Sequence, residues 1–569
     1  MNQDVHQKAN TIINGDKVYI FLASDENEKL LIKSESMWGE MLGISYHQFS
    51  YKKDIISTIG REDEIQKIKD FLAGDESFKV NAITGRAGNG KSRLVYYTFK
   101  DEDIKQEWFV YGLNYDEVRY YDYQYIRYLI GKKLINKKIL FVIDYVAINA
   151  DQIGEWIKKL YNNSKVDKGE VRIRILLVER THVTEDRKPY WYMRLVEGNK
   201  LDVLGLCNYS NHIQLHNLQD DQLRNIFVEY VKKNKVKYKE IYGTELDDDI
   251  CRKEADKIIK NLEKECKTPL YIMYIADAWI NDNSKNGRNW NRKESLEYIV
   301  RKENDRIKGF FLNNKSKEAA LKRILIYSIV LNGVKLGNSC PAFLHKDFEL
   351  LRTEFGADNP NLRHLFNDVG KIESGNEVTF KSVFPEIVGE FYCLDYLANI
   401  STNSFDDAYV RKFVECAWEE NPSAFASFLC RLIEDFSDHN LVTFSRILEM
   451  PVFLEAQNKV LYADVLREYA FWNKKILNYF QRICTGFTDI LYEEKNKMVC
   501  TAIREKYAIA LFNMAWWCKQ AISSEETDCC IEMIFKKMEE ICGGESNEII
   551  CQACRAVKWM SESKLGIKD

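Results

Sequence analysis

Val80-Asn81-Ala82-Ile83-Thr84-Gly85-Arg86-Ala87-Gly88-Asn89-Gly90-Lys91-Ser92 is the stretch that decides the fold. Val80 to Thr84 is short and mostly apolar, as a buried strand is. Gly85 to Ser92 has the spacing of a phosphate-binding loop, and helical sequence runs on from Arg93 to Phe99. A loop of this kind holds an anion because successive backbone N–H groups and a helix N-terminus converge on it. Gly85, Gly88 and Gly90 let the backbone wrap phosphates without side-chain collisions. Lys91 is placed to reach the β- and γ-phosphates of a nucleotide, and the Ser92 hydroxyl to ligate Mg²⁺; Asn89 and Arg93 complete the contact set. A strand before the loop and a helix after it are the context the pattern requires.

Two further residues extend the site. Asp144 follows the continuous apolar run Ile139-Leu140-Phe141-Val142-Ile143. At the carboxyl end of a parallel strand it can hold a metal through water opposite Ser92, although a lone Asp there can also simply cap a loop. Arg180 ends a third apolar run, Ile173 to Val178, by way of Glu179. An Arg at a strand terminus can sense a γ-phosphate through charge-assisted hydrogen bonds, or can be a surface Arg leaving a sheet. Trp108–Tyr111 and His212–Leu215 read as further strands, and Tyr123–Ile135 and Asp151–Leu160 as helices. Strands that are apolar on both faces and alternate with helices predict a parallel sheet covered on both sides.

The 569 residues allow three or four domains at about 150 residues each. Apolar residues make up 46% and charged residues 30%, which fits a globular chain, and seven prolines argue against long disordered linkers. A net charge of −4 gives no basic footprint, so nucleic acid is not an expected partner. No apolar run reaches the roughly 18 residues needed to cross a bilayer, and the polar N-terminus lacks a signal core. Fifteen cysteines without such a signal point to reduced thiols and a cytoplasmic location. Beyond about residue 217 the reading is helical: Asp220–Lys233, Asp248–Cys266, Leu270–Ile280 and Glu294–Val334. A strand candidate at Glu377–Phe380 precedes helix after helix from Asp406. Near the N-terminus, Lys17–Leu22 and Lys29–Lys33 read as two strands around the turn Ala23–Glu28. Thr268-Pro269-Leu270 opens an apolar helix. Pro suits that first turn and its ring could also pack on a purine; the two readings stand level. Cys551-Gln-Ala-Cys554 has knuckle spacing but no second pair, and buried helical cysteines account for it better than zinc.

Taken in order, Ile83-Thr84-Gly85 through Leu94, Val142-Ile143-Asp144-Tyr145 and Leu176-Leu177-Val178-Glu179-Arg180 resemble the STAND class of P-loop NTPases, which includes NACHT and NB-ARC proteins and bacterial relatives. The Gly60-Arg61-Glu62 entry and Pro269 fit the same order. Phe384-Pro385-Glu386-Ile387-Val388-Gly389-Glu390 is similar to the winged-helix region of bacterial members. The resemblance implies an AAA+/STAND-like α/β core over 56–216, a helical lid over 217–318 and a winged-helix-like domain over 319–400. A C-terminal helical sensor or interaction domain over 401–569 and a short leader over 1–55 complete the expected division. It further implies an ATP/ADP switch with Mg²⁺. Lys91, Ser92, Asp144 and Arg180 would be its phosphate, metal and sensing residues, Pro269 would lie on the adenine or ribose, and Arg61 or Glu62 near the base. An unidentified trigger, a separate effector protein and nucleotide-dependent homo-oligomers would be the partners, in bacterial signalling or anti-phage defence.

Tyr145, Val146 and Ala147 stand where NACHT proteins place further acidic residues after the metal-binding Asp. The carboxylate that would orient water is missing there, and Glu179 is the nearest substitute. Slow ATP hydrolysis, or exchange alone, is the expectation. Two alternatives remain: a DNA-handling AAA+ ATPase using a basic helix with Lys322, Arg323 and Lys335, and a scaffold that holds ADP permanently.

Overall fold

A computed structural model describes residues 9–14, 17–22 and 56–565, apart from 100, 114–120, 134, 136, 145, 148, 166–169, 181–189, 209–210, 244, 246, 282–290, 312–313, 338–339, 356–369, 374–376, 381–385, 401–403, 437–446, 449–454, 473–479, 521–524 and 543–546. Tyr145, the expected strand Lys29–Lys33 and the Phe384-Pro385 dipeptide lie outside the described residues. The chain divides after Ser295 into two compact units.

Strands β1 (Ala9–Asn14) and β2 (Lys17–Leu22) pair antiparallel, with Ala9 opposite Leu22 and Asn14 opposite Lys17. Lys17–Leu22 thus has an upstream partner, while the expected turn Ala23–Glu28 lies outside the described residues. Only residues 15 and 16 separate the two strands, and a two-residue connection is the commonest way to close a hairpin.

The core of the first unit is a five-stranded parallel sheet in the order β4-β5-β6-β3-β7. Its strands are β3 (Phe78–Thr84), β4 (Phe109–Leu113), β5 (Lys138–Asp144), β6 (Arg172–Glu179) and β7 (Ile213–Gln214). Alternate residues of the central strands enter two different cores. Ala82, Phe141, Ile143, Ile175 and Leu177 pack with α4 (Tyr123–Gly131) and α5 (Ala150–Ser164). Ile83, Leu140, Val142, Leu176 and Val178 pack with α1 (Glu62–Ala73), α2 (Lys91–Phe99) and α3 (Glu102–Glu107). Burial on both faces is why these strands read as mostly apolar runs. Helix α1 starts at Glu62, after Gly60, whose φ of +66° is a left-handed conformation that keeps the entry segment out of the helix.

Helices follow the sheet: α6 (Asp220–Lys233), α7 (Lys235–Tyr242), α8 (Asp248–Asn261) and α9 (Pro269–Asn281). The Asp247 carboxylate caps α8 by accepting from Asp249 N and Ile250 N at 2.8 and 3.2 Å. That helix stops at Asn261, short of the predicted Cys266, and Lys264–Cys266 forms a separate 3₁₀ turn.

Helix α10 (Arg292–Phe310) spans the division between the units. The second unit continues with α11 (Lys315–Val330), β8 (Val334–Leu336), α12 (His345–Phe355), β9 (Gly370–Glu373), β10 (Glu377–Phe380) and α13 (Glu386–Ile400). The three strands form an antiparallel sheet in the order β8-β10-β9, the winged-helix-like segment. The expected helical stretch Glu294–Val334 is thus two helices and the first residue of a strand. Asn332 and Gly333, both at positive φ, turn the chain into β8. A helical array completes the unit: α14 (Ser404–Glu420), α15 (Pro422–Phe436), α16 (Ala456–Trp472), α17 (Phe480–Glu493), α18 (Lys497–Gln520), α19 (Glu525–Cys542) and α20 (Glu548–Leu565). Pro422 opens α15, where its missing N–H is not needed. Inside the array, Lys506 Nζ donates to Asp464 Oδ1 at 2.6 Å, both groups buried. Among the described residues no helix is long and apolar enough to cross a membrane.

Arg174, in the middle of β6, is wholly buried. Its Nε donates to Phe71 O at 2.8 Å, its NH1 to Glu76 O at 2.7 Å and its NH2 to Gly74 O at 2.7 Å. A cation here satisfies carbonyls at the C-terminal end of α1 and complements the helix dipole. Burial lowers its pKa to about 10, so the charge persists at neutral pH. Arg174→Ala leaves those carbonyls unpaired in the core. It is expected to destabilise the first unit by about 3 kcal/mol, measured by denaturant unfolding, and Arg174→Lys is expected not to restore three separate contacts.

Cys207 and His212 precede β7, whose first residue, Ile213, is level with Ile83. The Cys207 Sγ to His212 Nε2 separation is 3.7 Å. Burial pushes the thiol up to about 12 and the imidazole down to about 4, so both are neutral and neither is an activated nucleophile or base. The folded-state pKa of His212 is depressed, so the unfolded chain takes up the proton first. Wild-type stability should therefore fall, relative to His212→Gln, as pH drops from 6.5 towards 4. The expected loss is on the order of 2 kcal/mol, read as the difference between the two unfolding midpoints across that range.

Candidate functional site

The loop leaves the sheet between two neighbours. Thr84 is level with Glu179 of β6 on one side and with Gln214 of β7 on the other. One strand further on, Asp144 is level with Val178. The carboxyl ends of β3, β6 and β5 thus bring Gly85, Arg180 and Asp144 to a single edge, the side of a parallel sheet where ligands bind. Strand alternation assigns the groups to faces. Asp144 follows Val142 on the face covered by α2, whose second residue is Ser92. Thr84 and Glu179 share the other face, in line with Ala82 and Leu177.

The loop is braced from several directions. Gly88 and Gly90 have φ +79° and +91°, conformations that side chains disfavour. Lys91 Nζ donates to Gly85 O at 2.6 Å and to Arg86 O at 3.1 Å, folding the ammonium over the loop's own backbone. Asn89 Nδ2 donates to Leu215 O and Asn217 Oδ1, both at 3.3 Å. Arg61 NH2 donates to Asn89 O at 3.2 Å and His216 O at 2.9 Å, while NH1 meets Glu64 Oε1 at 2.9 Å. Burial lowers the Arg61 pKa and Glu64 partly offsets that. Arg93 donates to Ile56 O. Asn89, Arg61 and Arg93 therefore fasten the loop to the segment after β7 and to the entry segment. Glu62 is exposed on the first turn of α1.

The helical lid touches the loop at Gly88. Leu270 N donates to Gly88 O at 3.4 Å, which seats Pro269, the first residue of α9, beside the loop. A Cβ on Gly88 would lie 3.0 Å from Thr268 Oγ1 and 3.3 Å from Leu270 Cβ. Around the loop, the buried Thr84 Oγ1, Asn89 Oδ1 and Thr268 Oγ1 have no hydrogen-bond partner. Orphaned polar atoms of this kind around an anion-binding backbone fit a polar ligand. Thr84 and Thr268 escaped the sequence reading. A Thr before a helix-opening Pro was the only local signal, and plain helix initiation explains it equally well.

Glu179 is almost completely buried. Its Oε1 accepts from Arg180 N at 2.6 Å and its Oε2 from Ala147 N at 2.8 Å. Burial pushes the carboxyl above its ordinary range, and these two N–H bonds with the charges of Lys91 and Arg180 pull it part of the way back. Cys551 and Cys554 are half-buried on α20. Among the described residues no group of three or more His, Cys, Asp or Glu is arranged to hold a metal.

No model of a known protein family matches the chain, and no curated protein does. Solved structures with a similar arrangement include Cdc6p from Pyrobaculum aerophilum, at 13% identity and a TM-score of 0.28 over 60% of this chain and 96% of that one. A STAND protein with a tetratricopeptide repeat sensor from Pyrococcus horikoshii is 10% identical, with a TM-score of 0.28 over 90% of this chain and 78% of that one. AMPPCP-bound DnaA from Aquifex aeolicus is 14% identical, with a TM-score of 0.25 over 66% and 98%. Likenesses of that size say nothing of function, and the P-loop NTPase fold rests on the strand order and the loop geometry.

Gly88→Ala places a methyl group against Thr268 and Leu270 at a left-handed φ. It should cost about 1–2 kcal/mol of stability and raise proteolytic sensitivity around residues 264–270, whereas Ala87→Gly leaves that cleavage unchanged.

Proposed function

We propose that the chain is an ATP/ADP-dependent molecular switch of the STAND type. The observation that carries this is the meeting of a phosphate loop, Asp144 and Arg180 at one sheet edge with the first turn of the lid helix α9 on Gly88. Lys91 would leave the Gly85 and Arg86 carbonyls to hold the β- and γ-phosphates, and the loop N–H groups from Gly88 onward would cradle them. Ser92 and Asp144 would hold Mg²⁺, which bridges phosphate oxygens and offsets their charge. Arg180 would respond to the γ-phosphate, and Pro269 would pack on the adenine or ribose. Because Leu270 N is bonded to Gly88 O, a change in the loop on exchange of ADP for ATP reaches the lid through one hydrogen bond. That is the logic of a two-state switch set by a γ-phosphate.

Turnover is slow in this reading, because Glu179 is almost completely buried with its oxygens turned to backbone N–H groups, and Val146 and Ala147 are apolar. The trigger would act on the C-terminal helical region, the output would pass to homo-oligomers or a separate effector, and the setting would be signalling or anti-phage defence. Duplex DNA handling is the weaker alternative on the geometry of its candidate cations. Lys322 is paired with Glu318 at 2.7 Å, and Arg323 makes a two-point contact with Asp347 at 2.8 and 2.5 Å.

Lys91→Ala should weaken ATP and ADP binding by roughly a hundredfold, measured by titration with a fluorescent analogue; wild-type affinity in that variant refutes the site. Native mass after loading with ATP against ADP separates a switch from a permanent ADP scaffold, which gives one mass in both.

A further inference from the structure

We propose that Glu179 is a positioning residue: its carboxylate locks the segment that follows Asp144 to the strand end that carries Arg180, so that the metal-holding and phosphate-sensing groups keep one fixed relation. The inference rests on the nucleotide site assigned above and names what sets its internal geometry.

The ladder between β5 and β6 ends at Asp144 and Val178. Beyond that point the chain must turn away, and backbone N–H groups at the sheet's edge lose their strand partners. A buried N–H without an acceptor is destabilising, so something has to take these protons. Glu179 takes two. Ala147 N lies three residues past Asp144, and Arg180 N is the amide of the sensing residue itself; one carboxylate accepts from both, at 2.8 and 2.6 Å. The bond to Ala147 crosses 32 positions of sequence and ties the two strand ends together outside the ladder. Charge-assisted bonds of this length to backbone amides are about twice as strong as neutral ones.

The same geometry distinguishes this role from water activation. A general base needs an oxygen open to a water beside the substrate. Here the side chain is almost completely buried, each oxygen is turned to a backbone N–H, and the side chain lies on the sheet face away from Asp144. Thr84, level with Glu179 on that face, has a buried hydroxyl with no partner, so the neighbouring strand does not supply a substitute acceptor contact. Glutamine at 179 keeps the shape but presents an NH₂ group to one of the two amides. Aspartate is one methylene shorter and cannot span both.

The experiment uses the full chain and Glu179→Gln, with Glu179→Asp as a second variant should the first fold poorly. Hydrogen exchange on the nucleotide-free protein reads the lock directly: faster exchange in residues 146–150 and at Arg180 is expected in both variants. Unchanged protection overturns the proposal whether or not nucleotide binds. Titration then reads the consequence. Affinity for ADP should stay within about threefold of wild type, while the ATP-to-ADP preference and the Mg²⁺ dependence of ATP binding should each fall about tenfold. Both unchanged, with turnover abolished, would make Glu179 a base and overturn the positioning role. If the wild type binds neither nucleotide, the site assignment fails, and the exchange result still decides the lock.

Discussion

Everything at the candidate site depends on the parallel ladder between β3 and β6. Pairing Thr84 with Glu179 fixes where the loop leaves the sheet, and the next ladder, Asp144 with Val178, fixes the third strand end relative to it. A one-residue slip in either would exchange the faces of every side chain, sending Val178 and Ile83 away from α1 and α2. The two cores prevent that slip. Each face of β6 is filled by a different set of helices, so the register is held by packing from both sides.

The loop between these strands meets many of its polar groups from within and from neighbouring segments. Its lysine lies on two of its own carbonyls, its asparagine on the segment after β7, and an arginine from the entry segment on its backbone. These bonds use carbonyl oxygens and side chains, and of the loop's own N–H groups that of Asn89 donates to Arg86 O at 3.2 Å. On the function proposed above, Lys91 is the group that would have to leave these carbonyls for a phosphate.

The sheet was legible because burial on both faces leaves a plain signature: Ile139–Ile143 is apolar without interruption, Ile173–Val178 is apolar at every position but Arg174, and strands appear there. Helix Asp220–Lys233 matches its expected bounds because acidic residues open it and lysines close it. Short strands were harder to read. Val334–Leu336 and Gly370–Glu373 have too few residues for a period, and the partner of Lys17–Leu22 carries Asn at positions 10 and 14, which reads as loop. The site residues were legible where a motif names them. Glu179 was legible as a carboxylate near Arg180, but not its direction, since alternation depends on a register that one strand alone does not reveal. Arg174 was invisible for a related reason: a charge inside an apolar strand has a partner only once α1 is in place.

Helix α1 is fastened at both ends, by Arg61 to the loop and by Arg174 to the middle of β6. At twelve residues it is a rod of about 18 Å, with a guanidinium joint at each tip. A rod held this way transmits push and pull rather than bending. A displacement at either tip is thus shared between Asn89 of the loop and the strand that ends at Glu179 and Arg180.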